Sequence, residues 1–365
     1  MADRITNYQC PACTGPLRFD PVTGKLVCDH CGSSYSTEEI EALYAETDEA
    51  AAQAAQAAEG QEAPEGSSWS EAEAAGLKVY NCPSCGAELI CDQTTAATSC
   101  PYCGNPSIVP GELSGSLRPD WVIPFKLTKE QAVEALKAHY KKKPLLPKLF
   151  SSQNHLEEIK GVYAPFWLYD GETEGSAAFH ATKVRHWREG KYDVTETSHF
   201  ECLRRGGLRF RRIPVDGSAK MPDEHMDAIE PYDFGELQPF STAYLPGYMA
   251  DKYDVDAAQA EERARTRAEG STAAALEATV TGYTSVTRES AEIEYHRTAL
   301  HYALLPVWLL STKWNGQNYL FSVNGQTGKP VGDLPIDKAK LAAWFCGSFA
   351  VGAVLAALVL GTFVF

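Results

Sequence analysis

The chain has 365 residues, 44% of them hydrophobic, and a formal net charge of −15, enough to bury a sizeable core in two or three domains. Eleven acidic residues and no Lys or Arg fall between Glu38 and Leu77, so the rest of the chain is far closer to neutral. This balance argues against a duplex-binding protein, whose affinity is dominated by phosphate neutralisation from a basic face.

The first predicted unit, residues 1–37, is a zinc ribbon. Met1 to Tyr8 has no apolar run, so no secretory signal is expected, and the first ligand pair follows at once. Cys10-Pro11-Ala12-Cys13 and Cys28-Asp29-His30-Cys31 are two Cys-x-x-Cys units separated by fourteen residues. Two residues between cysteines let a tight knuckle aim both sulfurs at one ion, and two knuckles complete a tetrahedron. His30 lies inside a knuckle as a substitute donor that a complete cysteine quartet does not need.

Residues 38–77 form a linker of Ala, Glu, Gln and Ser, expected to be helical at its start and disordered around Pro64 to Ser68. A second ribbon then occupies 78–112. Its ligands, Cys82, Cys85, Cys100 and Cys103, each lie 72 positions after their counterparts in the first. Gly32, Gly86 and Gly104 fit knuckle turns that need positive φ. Four protein ligands leave no open position for water or substrate, so both zinc ions are read as structural. Paired thiolates also need reducing surroundings. Cys91, in the loop of the second ribbon, is a further substitute donor; Cys202 and Cys346 read as buried small apolar residues.

The body, 113–336, mixes helix and strand signals and is assigned to the α+β class. A capping-box pattern at Thr128 and Gln131 opens a helix with Ala132, Val133, Leu136 and Tyr140 on one face, ending near Lys141-Lys142-Lys143. Strands are predicted over Gly161–Tyr169, Ser176–Trp187, Tyr192–Leu203 and Leu208–Val215, with turns at Glu189-Gly190 and Gly206-Gly207. A second, solvent-exposed helix is expected from Asp256 to Glu269, with Gly270 as its stop and Glu261–Arg265 as an i,i+4 pair. Leu304–Trp314 and Gln317–Val323 read as strands joined at Asn315-Gly316, with Asn324-Gly325 as a further turn. Pro-x-Trp-Leu occurs at Pro165 and again at Pro306, hinting at a duplicated helix-plus-antiparallel-sheet unit whose Trp and Tyr side chains form the core.

Arg204, Arg205, Arg209, Arg211 and Arg212 make the one dense basic patch, read either as a solvated hairpin or as a contact for anionic lipid, an acidic partner or nucleic acid. His180, His186 and His199 lie near one another on predicted strands without a compelling ligand spacing. Leu341 to Phe365 carries no charge over 25 residues and is expected to span a bilayer as a single helix. Lys338 and Lys340 before it would keep the N-terminal region in the cytoplasm. Walker A, Gly-x-Gly-x-x-Gly, His-Glu-x-x-His and Gly-x-Ser-x-Gly motifs are all missing, so no enzyme is expected and a small-molecule substrate is not favoured.

The two Cys-Pro-x-Cys ribbons, the acidic linker, the α+β body, the terminal apolar segment and the Ile229-Glu230-Pro231-Tyr232-Asp233 stretch together resemble the bacterial TFIIB-type zinc-ribbon membrane proteins. These are sometimes labelled PriA-like helicases, a label the missing Walker A loop does not support. Members are often encoded beside SPFH (flotillin or stomatin-like) proteins and linked to phage-shock-type membrane-stress systems. The resemblance implies a non-catalytic adaptor at the cytoplasmic face of the membrane, holding such partners and the bilayer; a nucleic-acid-binding protein using Arg204 to Arg212 is the alternative.

Overall fold

In the computed structural model the described residues are 10–11, 17–28, 31–45, 67–93, 95, 99–106, 108–111, 117–141, 143–147, 156–314 and 317–363. Strands β1 (Leu17–Asp20), β2 (Lys25–Cys28) and β3 (Ser34–Tyr35) form a small antiparallel sheet. Helix α1 (Thr37–Ala45) follows. A capping box opens it: Ser36 Oγ accepts from the Glu39 N–H at 3.0 Å, and Glu39 Oε2 accepts from the Ser36 N–H at 2.8 Å. The Pro64 to Gly66 part of the predicted linker lies outside the described residues.

Next among the described residues come β4 (Ser67–Ser68) and the short helix α2 (Glu71–Ala75). Strands β5 (Leu77–Asn81), β6 (Glu88–Asp92) and β7 (Val109–Gly111) carry the second ribbon. Strand β8 (Leu117–Arg118) pairs with β4, and β9 (Trp121–Val122) leads into α3 (Lys129–Lys141). Its buried residues are Ala132, Val133, Leu136 and Tyr140, the face that the apolar spacing predicts.

Three strands dominate the body: β10 (Lys160–Glu189), β11 (Tyr192–Asp216) and, further on, a long partner of β10. Between them come α4 (Asp223–Ile229), β12 (Gln238–Pro239), β13 (Met249–Asp251) and α5 (Ala257–Ala278). The partner is β14 (Ser285–Trp314), which hairpins into β15 (Gln317–Asn324) and then β16 (Pro330–Gly332). These join β5, β6, β7 and β9 in an eleven-stranded mixed sheet.

The four shorter strands predicted over 161–215 are two continuous ones. Gly206 and Gly207 are no turn; they pair with Gly175 and Glu174 inside the β10–β11 ladder. A Cβ on Gly207 would stand 2.6 Å from the Thr173 carbonyl oxygen, and one on Gly171 would stand 2.5 Å from the Tyr295 ring. These glycines serve close approach within the sheet rather than chain reversal. The Glu189-Gly190 turn is present, with Gly190 at φ +62°. Asn315 and Gly316 lie outside the described residues, but the β14–β15 register closes on Trp314 and Gln317 around them.

Two halves of the body repeat one plan: short strand, capped helix, long hairpin. β9, α3 and β10–β11 make the first half; β13, α5 and β14–β15 make the second. β9 pairs in parallel with β14, and β13 pairs in parallel with β10, so each short strand lies beside the other half's long strand. Trp167 Nε1 donates to the Val255 carbonyl at 2.8 Å, and Trp308 Nε1 to the Leu127 carbonyl at 3.1 Å. Each of those carbonyls lies just before the capping residue of the opposite half's helix. The Pro-x-Trp-Leu match marks these two equivalent positions.

Helix α5 continues past Gly270 to Ala278 and is not solvent-exposed throughout, because Ala260, Ala264, Ala268, Thr272, Ala273 and Leu276 are buried. The stripe is mostly alanine, which hides its amphipathicity. Arg265 pairs with Glu269 at 2.8 Å, while Glu261 lies 3.4 Å from Arg297 on β14.

The expectation for the tail is corrected. Helix α6 (Lys338–Phe363) forms, yet among the described residues no helix is long and apolar enough to cross a membrane. The described side chains of this run end at Ala353, and those of 354–365 lie outside the described residues. With the span go the single-pass topology and the assignment to the cytoplasmic membrane.

Candidate metal centres

The sequence builds the same turn three times. In the second ribbon the Cys82 N–H donates to the Ala87 carbonyl at 2.8 Å and the Gly86 N–H to the Cys82 carbonyl at 2.9 Å. Cys100 with Asn105 and Gly104, and Cys28 with Ser33 and Gly32, repeat this pattern at 2.8 to 3.0 Å. Gly32, Gly86 and Gly104 have φ of +74°, +73° and +70°, the left-handed conformation that lets the chain close behind each sulfur pair.

The Sγ atoms of Cys82, Cys85, Cys100 and Cys103 lie within 4.8 Å of one another, with Cys82–Cys103 and Cys85–Cys100 both at 3.6 Å. A tetrahedral ion with Zn–S bonds of ~2.3 Å sets its sulfurs roughly 3.8 Å apart. The spacing therefore fits zinc and is far too long for a disulfide, whose S–S bond is ~2.05 Å. In the first ribbon Cys10, Cys28 and Cys31 converge in the same way, with Cys10 and Cys31 at 3.5 Å. Cys13, the fourth predicted ligand, and His30 lie outside the described residues.

Electrostatics within the second quartet point the same way. Burial opposes ionisation of Cys82, but N–H groups from Cys85 and Ser84 outweigh it and hold this thiol down at about 7. Burial pushes Cys85 up to about 11 and Cys100 higher still. Four packed thiols cannot all ionise without a cation to compensate them. Cys91 does not join the cluster: it lies buried on β6, its sulfur is not among the converging four, and burial raises its thiol to about 12. Cys202 is buried as expected, whereas Cys346 is exposed on α6.

Two features were not legible from ligand spacing. Lys160, at the start of β10, donates to the Ser99 carbonyl at 2.7 Å beside the Cys100 knuckle, placing a cation near the quartet. Tyr102, between two ligands, donates to Asp251 Oδ2 at 2.8 Å. Asp251 is 1% exposed; it also accepts from Ser218 Oγ at 2.9 Å and pairs with Lys220 at 3.1 Å. This buried network fastens the knuckle to the body. The ribbon is also continuous with the main sheet, since Ile90 of β6 pairs with Ala250 of β13. The first ribbon docks through the Phe19 N–H, which donates to the Pro246 carbonyl at 3.2 Å, and through the Phe19–Tyr244 rings, 5.5 Å apart.

The basic patch does not form one surface. Alternation along β11 sends successive arginines to opposite faces. Arg204 donates to Thr279 Oγ1 at 3.0 Å, and Arg209 donates to Glu172 at 2.7 Å. Arg212 has φ +58°; its N–H donates to Asp170 at 2.6 Å and its guanidinium reaches the Phe234 carbonyl. Arg205 and Arg211 are exposed. His180 and His199 are neighbours, whereas His186 bonds Thr195 further along the hairpin.

Among known proteins, the Trm112p-like protein family matches residues 9–36, the stretch that holds the first cysteine quartet, and the two clusters together hold structural zinc. No solved structure matches the chain. A relative described as Uncharacterized protein YdjG, from Bacillus subtilis (strain 168), is 39% identical over 348 residues, covering 94% of this chain and 94% of its own. The likeness runs over nearly the whole of both chains, and the chain belongs to the family of YdjG.

Proposed function

We propose that the chain is a non-catalytic adaptor in which two closed zinc ribbons stiffen a sheet that binds protein partners. The observation that carries this reading is the closed second quartet, whose four ligands all come from the protein and leave the ion no position for substrate. A long three-stranded ribbon, β11–β10–β14, extends beyond the core with exposed Trp187, Tyr192, Phe200 and Leu203. Exposed aromatic groups on a rigid element suit protein contact. The dispersal of the arginines over two faces does not favour nucleic acid. On the resemblance drawn from the sequence, SPFH-type or phage-shock-type proteins are the partners to try.

The test is a pull-down with purified full chain against a purified SPFH-type protein, beside a variant with the cysteines of both quartets changed to serine. The reading requires capture by the intact chain and at least a tenfold loss in the variant. Equal capture by both, or capture by neither, would sink it.

A further inference from the structure

Outside the ribbons, two histidines meet on the exposed face of the long ribbon, away from α5, with carboxylates at neighbouring positions. His180 on β10 and His199 on β11 bring Nε2 and Nδ1 to 3.0 Å. Alternation puts Glu201 on that same face, directly opposite His180 in the β10–β11 register; residues so paired have Cβ atoms about 4.5–5.5 Å apart, so its carboxylate, which does not converge with both rings within 4.8 Å here, joins them by a change of rotamer. On the other side of β10, β14 carries a bulge: Ala178 faces Ser290 and Phe179 faces Arg288, leaving Glu289 as the extra residue. Bulges re-aim side chains, and Glu289 Oε1 lies 3.9 Å from His180 Nδ1.

We propose that His180, His199 and Glu201 form a third, non-cysteine site for a divalent transition metal, with Glu289 orienting His180. The arrangement has the parts such a site needs. Two ligands bound tetrahedrally at ~2.05 Å lie about 3.3 Å apart, so the imidazoles need to separate by only a few tenths of an ångström. The Glu289 carboxylate, 3.9 Å from Nδ1 and so not hydrogen-bonded to it, favours a proton on that nitrogen by its charge, which leaves the Nε2 lone pair facing His199. The ion takes the place of the proton shared between the rings, which His199 carries instead on its other nitrogen. β10 is paired on both sides here, holding His180 on a rigid element. Cation access is open, because the His180 and Glu289 side chains are 41% and 55% exposed. The site keeps a position for water or for a group from a partner, unlike the ribbons.

The experiment is zinc titration by calorimetry of the full chain with both ribbons already loaded, backed by metal analysis. The intact chain is expected to take a third equivalent at micromolar Zn2+. His180→Ala and His199→Ala should abolish it, and Glu201→Gln and Glu289→Gln should weaken it by ~10-fold or more. All four positions lie on the partly exposed face, and the two ribbon ions serve as the internal control for folding. Absence of a third equivalent in the intact chain, or its survival in both histidine variants, overturns the proposal; undiminished binding in Glu201→Gln overturns the assigned ligand set.

Discussion

Two buried carboxylates in the body have opposite fates. Asp251 is fully engaged by Tyr102, Ser218 and Lys220. Removing it leaves a lysine whose side chain is 6% exposed with only Asp254 at 3.1 Å and the Lys252 carbonyl at 3.3 Å as partners among the described residues. Breaking a buried pair from one side costs ~3–5 kcal/mol. Urea denaturation of Asp251→Ala should therefore show a loss near the lower end of that range, and Lys220→Met added to it should recover part. Asp216 differs. Its Oδ1 accepts from the Ser218 N–H at 3.1 Å, but Oδ2 is buried without a hydrogen-bond partner among the described residues. Burial raises its pKa well above the usual carboxylate range. A folded pKa above the unfolded one contributes stability at acidic pH that is lost as pH rises from the unfolded value through the folded one. The equivalent position in the second half is Asn324, whose amide donates to the Ile229 carbonyl at 3.0 Å and accepts from the Gln326 N–H at 2.9 Å. Asp216→Asn should leave stability at pH 4 nearly unchanged and raise the melting temperature at pH 8. A lower melting temperature at pH 8 would contradict this.

At the scale of elements, both body helices begin on the same device. Asp256 accepts from the Gln259 N–H at 2.8 Å while Gln259 Oε1 accepts from the Asp256 N–H at 3.2 Å; Thr128 and Gln131 do the same at 3.3 and 2.9 Å. Replacing a cap by alanine costs about 1 kcal/mol, so Asp256→Ala and Thr128→Ala should each lower stability by that order in urea. A negligible effect at either would show that packing alone holds that helix start. The first cap was legible because Thr128 precedes a recognisable apolar face. The extent of the second helix was not, because a buried stripe of alanines looks like a solvated surface and Gly270 looks like a stop. Cysteine ligands were legible for the opposite reason: their chemistry is local and spaced by the knuckle. Lys160, Asp251 and Glu289 reach their sites only through sheet register, which no local spacing encodes. The glycines of β10 and β11 mislead in the same way, since Gly171 and Gly207 answer to partners on other strands.

For the molecule as a whole, the two ribbons share a ligand pattern but not a mechanical role. The first forms its own three-stranded sheet, shares no strand with the body, and meets it through side chains around Phe19 that join the main hydrophobic cluster. The second shares strands with the main sheet and is clamped by Tyr102 to the buried Asp251 network. Zinc binding free energy is folding free energy for whatever the ion holds in place, so losing the two ions should have unequal consequences. Cys28→Ser should give up one zinc by metal analysis while the main thermal transition of the body, followed by circular dichroism, moves little. Cys100→Ser should also give up one zinc, but it loosens the β5–β6 edge and disturbs Tyr102, one of the three donors to Asp251. Its main transition should fall by an amount comparable to that of Asp251→Ala, and the double variant should lose less than the sum, because the two changes disable one network. Equal melting shifts for Cys28→Ser and Cys100→Ser, or full additivity with Asp251→Ala, would mean that the second ribbon is as detachable as the first and that the continuous sheet does not couple it to the body.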